Sequence, residues 1–116
     1  MVPHPQPTPA EPAPGLRLSA ALRPALTKEQ AEDTAQVLSV VSSAVRLQLL
    51  SLIHNSVNGR ARVVDLTNAL GLRQPTVSHH LKVMSEAGIV SRDPVGREVW
   101  YEIVPQRLSA IADLLR

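Results

Sequence analysis

Residues 71–81 read GLRQPTVSHHL. A glycine suited to a left-handed helix cap opens the segment. A short polar turn follows, and Pro75 then falls where a helix accepts proline, in its first turn. Just upstream, VVDLTNAL (63–70) sets Val63, Leu66 and Leu70 on one side of a short helix. Just downstream, from Pro75 to Ala87, Val77, Leu81 and Met84 recur at helical spacing, and Gly88 closes the run. The segment is therefore the joint between two short amphipathic helices.

With Val77, Leu81 and Met84 turned inward and about 100° per residue, the outward arc of the second helix holds Pro75, Thr76, His79, Lys82, Val83 and Glu86, with Ser78 at its edge. These are mostly short donors and acceptors with one cation, gathered near a helix N-terminus. Such groups can enter a major groove without a bulky clash and reach base edges and phosphates. A solvated helix face has the same polarity, so the order of the elements around it must decide. His80 lies nearer the inward stripe and reads as a half-buried structural histidine rather than a base reader.

Working outward, Thr27-Lys-Glu-Gln30 forms a capping box, with Ala31, Ala35, Leu38 and Val41 behind it as an apolar stripe. Ser43 caps a second helix whose stripe is Val45, Leu49 and Leu52, with Leu50 and Ile53 beside it; turn residues at Asn55–Gly59 end it. After Gly88 the period changes. IVSRD (89–93) and EVWYEIV (98–104) are rich in β-branched and aromatic residues, and Pro94-Val95-Gly96 is read as the hairpin connection between them. Residues 105–116 return to helical spacing with Leu108, Ile111, Ala112 and Leu115. Helix, short helix, glycine turn, helix and hairpin is the order of a winged helix-turn-helix, mainly α with a small β-hairpin wing. Arg97, beside Gly96 at the hairpin tip, is either a groove or phosphate contact or a solvated charge.

Composition narrows the function. Seven of the ten prolines lie within residues 1–24, so residues 1–26 are expected to form a disordered proline-rich arm and residues 27–116 the folded domain. Net charge is +2, but unevenly spread. Residues 27–43 carry Lys28 against Glu29, Glu32 and Asp33, whereas residues 44–101 carry seven Lys and Arg against four Asp and Glu. The basic excess accompanies the GLRQPTVSHHL stretch and suits a polyanion. The chain has no cysteine, which excludes disulfides and thiolate metal sites. No secretory leader or membrane-length apolar run is visible, so a cytoplasmic protein is expected. No catalytic triad, carboxylate pair or phosphate loop appears; Ser78 and His79 are adjacent on a helix and point about 100° apart. An enzyme is not expected. A winged helix that docks on a protein, with the arm as a second docking segment, is the rival class.

Three segments together resemble the ArsR/SmtB repressors: VLSVVSSAVRLQLLSLI, VVDLTNALGLRQPTVSHHLKVMSEAGIV and SRDPVGREVWYEI. The likeness runs from about Val37 to Tyr101 and looks most like the arsenical-responsive actinobacterial branch. It implies a homodimer held by the first and last helices, which binds a two-fold operator with recognition helices roughly 34 Å apart and is released by an effector. The outward arc of the second helix, the turn before it and the hairpin tip together make Arg73, Gln74, Thr76, Ser78, His79, Lys82 and Arg97 the expected DNA-contacting set; Arg73 stands where relatives often have a capping Ser. Many relatives hold metals through a Cys-x-Cys before an Asp-Leu. Here Arg62 and Val64 stand at those positions, ahead of Asp65-Leu66. The Asp and His ligands that others carry on the last helix reduce to Asp113. Thiolate sensing of arsenite or antimonite is excluded. The weak metal candidates left are His4, His54, Asp65 and His80, which would suit nickel or zinc in a composite site; Pro3 blocks an amino-terminal square-planar site at His4. A small molecule or a partner protein is the other effector expected.

Overall fold

In the computed structural model, residue 22 and residues 26–114 are described. The helices are α1 (Lys28–Val41), α2 (Ala44–His54), α3 (Val63–Leu70), α4 (Gln74–Glu86) and α5 (Pro105–Leu114); the strands are β1 (Arg60–Arg62), β2 (Val90–Val95) and β3 (Glu98–Ile103). The strands form one antiparallel sheet in the order β1-β3-β2. This is a winged helix-turn-helix. The proline-rich arm expected over residues 1–26 falls almost wholly outside the described residues. No single helix among them is long and apolar enough to cross a membrane.

Local chemistry accounts for the boundaries. The Thr27 hydroxyl accepts from the Gln30 N–H while the Gln30 side chain accepts from the Thr27 N–H, closing the capping box of α1. The Ser43 hydroxyl accepts from the Arg46 N–H at the start of α2. Gly71 ends α3 at φ 66°, a left-handed cap that a side chain would strain. No side chain caps α4, whose N-cap is Arg73.

Four helices and the sheet share one core, to which α1 brings Val37 and Val40. Leu49 and Ile53 of α2, Leu66 of α3, Val77, Leu81 and Met84 of α4, and Ile89, Val90 and Tyr101 of the wing are buried together. The inward stripe of α4 is the one its spacing predicts. On α2 the buried centre is Leu49 and Ile53, with Val45, Leu50 and Leu52 only packed against it.

Four expectations need correction. First, α1 turns Thr34, Val37 and Val40 to the core, and its Ala31, Ala35 and Leu38 are exposed. Second, Val83 packs against the core instead of facing out. Third, β2 runs on to Val95, which pairs with Glu98, so the turn is Gly96-Arg97 and Pro94 lies in the strand opposite Val99. A glycine at φ 62° in the first position suits a two-residue hairpin turn. Hydrogen-bonded and open pairs alternate along such a ladder, which puts Pro94 at an open pair on an edge strand, where its missing N–H is not needed. Fourth, Arg60–Arg62 forms a strand that the sequence pattern does not reveal.

Candidate nucleic-acid interface

The outer surface of α4 and the inner side of the hairpin enclose a cleft of about 570 Å³. Gln74, Ser78, Lys82 and Ser85 line it from one face of α4; Arg92, Arg97, Glu98 and Val99 line it from the wing; Arg62, Val63 and Val64 close its end. The spacing of Gln74, Ser78, Lys82 and Ser85 is that of one helical stripe. Of the seven residues expected to meet DNA, the fold thus brings Gln74, Ser78, Lys82 and Arg97 to one cleft. Arg73, Thr76 and His79 are exposed but outside that lining, at the N-terminal end and on the outer side of α4.

Charge in the cleft is uneven. Lys82, Arg92 and Arg97 form no ion pair among the described residues, and Arg73 outside it is likewise unpaired. Arg92 was not singled out by sequence; its place two residues after Val90, on the same face of the edge strand, was the available signal. Arg62 is committed elsewhere. Its Nε and Nη2 donate to the two carboxylate oxygens of Asp65, at 2.9 and 3.1 Å, and its Nη1 donates to Glu98. This pairing holds the Asp65 carboxyl below the usual carboxylate range and raises the Arg62 guanidinium above its own. On the same face of the sheet as Arg62 but outside the cleft lining, Arg60 lies 4.8 Å from the centroid of the Trp100 ring and donates to Asp93 at 2.9 Å.

His80 is half-buried, as its place on the helix implies, but it is not idle. Its Nδ1 accepts from Arg46 Nε at 3.1 Å, across a separation of 34 residues. Burial, then the Arg46 charge, then His79 lower the tendency of His80 to take up a proton.

The metal candidates do not converge. Asp65 is engaged by Arg62 and His80 by Arg46, His54 is exposed at the end of α2, and His4 lies outside the described residues. No three His, Asp or Glu come together among the described residues in a way that could hold a metal ion.

The family model for bacterial regulatory proteins of the arsR family matches residues 43–92. The HTH-type transcriptional regulator NmtR of Mycobacterium tuberculosis is 31% identical over 88 residues, covering 76% of this chain and 71% of that protein. An uncharacterised HTH-type transcriptional regulator of Methanocaldococcus jannaschii is 33% identical over 87 residues, covering 75% of this chain and 96% of its own length. Among solved structures, the AntR antimony-specific transcriptional repressor superposes with a TM-score of 0.65 at 26% identity, covering 84% of this chain and 86% of that one.

Proposed function

The chain belongs to the arsR family of bacterial regulatory proteins and is a DNA-binding transcriptional regulator; from that premise we propose that it is a cytoplasmic repressor, not an enzyme, acting as a homodimer on a two-fold operator. The observation that carries the DNA reading is the cleft between α4 and the wing, where Lys82, Arg92 and Arg97 are left without carboxylate partners among the described residues. Glu98 in the same lining is taken by Arg62, and Glu86 forms no ion pair with the three cations; cations left unpaired on a concave surface are what a phosphate backbone can engage. In this reading Gln74, Thr76, Ser78 and His79 meet base edges from the first two turns of α4. Arg73, Lys82, Arg92 and Arg97 take phosphates, and Arg97 at the hairpin tip also reaches toward a minor groove.

The dimer is supported by the apolar surface that the protomer leaves uncovered. Ala31, Ala35 and Leu38 form an exposed stripe on α1, and Leu108 of α5 is exposed as well. A folded unit of fewer than about 100 residues gains from burying such a stripe against a second copy. Nickel or zinc enters the proposal only as an effector bound between protomers, because one protomer gathers no ligand set among the described residues. The soft-metalloid route is closed for lack of cysteine.

The test is fluorescence anisotropy of metal-free protein on duplexes from its own promoter, at two salt concentrations, with and without Ni(II), Zn(II) and Co(II). The expected result is tight, salt-sensitive binding of one dimer per two-fold site. Binding changed by one metal would assign the effector; binding indifferent to all three would direct the search to a small molecule or a partner protein. No salt-sensitive binding to any duplex would overturn the proposal in favour of a protein-docking winged helix.

A further inference from the structure

One side chain ties three helices together. Arg46, in the first turn of α2, donates from Nη1 to the Val40 carbonyl at 3.0 Å and from Nε to His80 Nδ1 at 3.1 Å. Val40 belongs to the last turn of α1, which has no basic residue of its own. Carbonyls at a helix C-terminus lack intrahelical partners and favour a cation, so Arg46 serves α1 from outside it. His80 belongs to α4, next to His79 on the exposed side.

We propose that Arg46 and His80 form a proton-sensitive strut, in which the neutral imidazole holds Arg46, and through it the end of α1, against the recognition helix, and protonation of His80 releases that hold and weakens DNA binding. The proposal rests on the DNA-binding reading above and adds a regulatory input to it.

The chemistry is restrictive. An arginine has donors only, so the nitrogen facing it must be bare and the ring must carry its hydrogen on Nε2. Imidazolium has no bare nitrogen, and its charge would face the guanidinium. Among the described residues, the charges that act on His80 are Arg46 from α2 and His79 from α4; both oppose protonation, and no carboxylate among them offsets this. From α1 the strut receives only the Val40 carbonyl, which engages Arg46 and not the ring. The bond from Arg46 requires the neutral ring, and burial and the Arg46 charge favour it, so His80 takes up a proton only when acid is sufficient to break the bond. Breaking it loosens α4 from the helix that carries the exposed Ala31-Ala35-Leu38 stripe. Recognition-helix placement and the proposed dimer surface would respond together.

His79 complicates a simple pH titration, because protonating an exposed histidine near DNA strengthens binding. The experiment therefore uses His79→Gln as the background. This lowers affinity at every pH but removes that opposing titration. Anisotropy is measured from about pH 8 to about pH 5.5, spanning the ordinary histidine range, with the helical circular dichroism signal followed in parallel. The expected result is a roughly tenfold loss of affinity on acidification, the size of one charge-assisted hydrogen bond, with the helical signal intact. In His79→Gln/His80→Asn the loss should vanish, because the Asn Oδ1 takes the place of Nδ1 as acceptor but does not titrate. An equal acid loss in both proteins, or none in either, would overturn the strut.

Imidazole nitrogen NMR of the free, wild-type chain tests the same bond without DNA. His80 should be the Nε2–H tautomer and should titrate below the ordinary histidine range. Arg46→Met should move its titration upward. An Nδ1–H tautomer, or a titration blind to Arg46→Met, would also overturn the strut. Failure of the wild-type chain to bind any duplex at about pH 8 would refute the DNA-binding reading instead, and the NMR result would still decide the strut.

Discussion

Replacing Arg97 by alanine should change how DNA binding depends on salt more than how the protein folds. Arg97 is exposed at the second position of the hairpin turn and has no ion pair among the described residues, so its loss leaves the core untouched. Each phosphate neutralised by a protein cation contributes about 0.9 to the slope of log affinity against log salt. Arg73, Lys82, Arg92 and Arg97 are unpaired in each protomer. A dimer engaging all of them would show a slope of about −7, and Arg97→Ala, acting in both protomers, would reduce it by about 1.8. Between about 50 and about 200 mM salt, the wild-type protein should then lose roughly tenfold more affinity than the variant. The assay is anisotropy on one operator duplex at four or more salt concentrations, with Arg60→Ala as the control. Arg60 is paired with Asp93 and stacked on Trp100, outside the cleft, and its loss should leave the slope alone. An unchanged slope in Arg97→Ala, or an equal reduction in Arg60→Ala, would refute the assignment of the cleft as the phosphate-binding surface.

Leu81 is fully buried on α4, so Leu81→Ala should destabilise the fold by about 2–5 kcal/mol, read by urea unfolding at fixed protein concentration; Leu38→Ala, on the exposed stripe of α1, should cost the isolated protomer far less. The Asp65 carboxyl is held below its ordinary range by Arg62. Its contribution to stability is therefore present above the unfolded-state value near about 4 and is lost as pH falls through the lowered folded value. Asp65→Asn should accordingly lower the melting temperature at neutral pH, by an amount that shrinks as the pH falls through the lowered folded value; an effect that does not shrink with acid would show that the pair with Arg62 is not what Asp65 contributes.

The helix-turn-helix was legible because its constraints are local. Val77, Leu81 and Met84 fix the inward face of α4 by spacing alone, and Gly71 marks a turn that other residues enter only under strain. What depended on distant neighbours was not legible. On α1 two stripes compete, Ala31-Ala35-Leu38 and Thr34-Val37-Val40, and nothing in the helix says which one meets the core and which is left open. Val83 looks outward by angle, but α1 comes close enough to cover it. The strand Arg60–Arg62 is three residues long with only Ala61 buried, too short for alternation to register, and it exists because β3 offers it an edge. The candidate interface divides in the same way. Gln74, Ser78 and Lys82 follow from helical spacing. The joining of Arg92 and Arg97 to them, and the link from Arg46 to His80, required the wing and α2 to be in place.

The junction of β1 with α3 has a mechanical consequence. The strand ends at Arg62 and the helix begins at Val63, with no residue between them. Arg62 is at once the last rung of the sheet, paired with Trp100, and the cap residue of α3, and its guanidinium bridges Asp65 on the helix to Glu98, the first residue of β3 beside the hairpin turn. A force applied at the hairpin tip thus passes to the helix-turn-helix through a stiff coupling without slack. The hairpin and the reading helix form one lever, so seating either on a duplex sets the angle of the other. The tip can lengthen without disturbing that lever, whereas one residue inserted between Arg62 and Val63 would turn it into a joint.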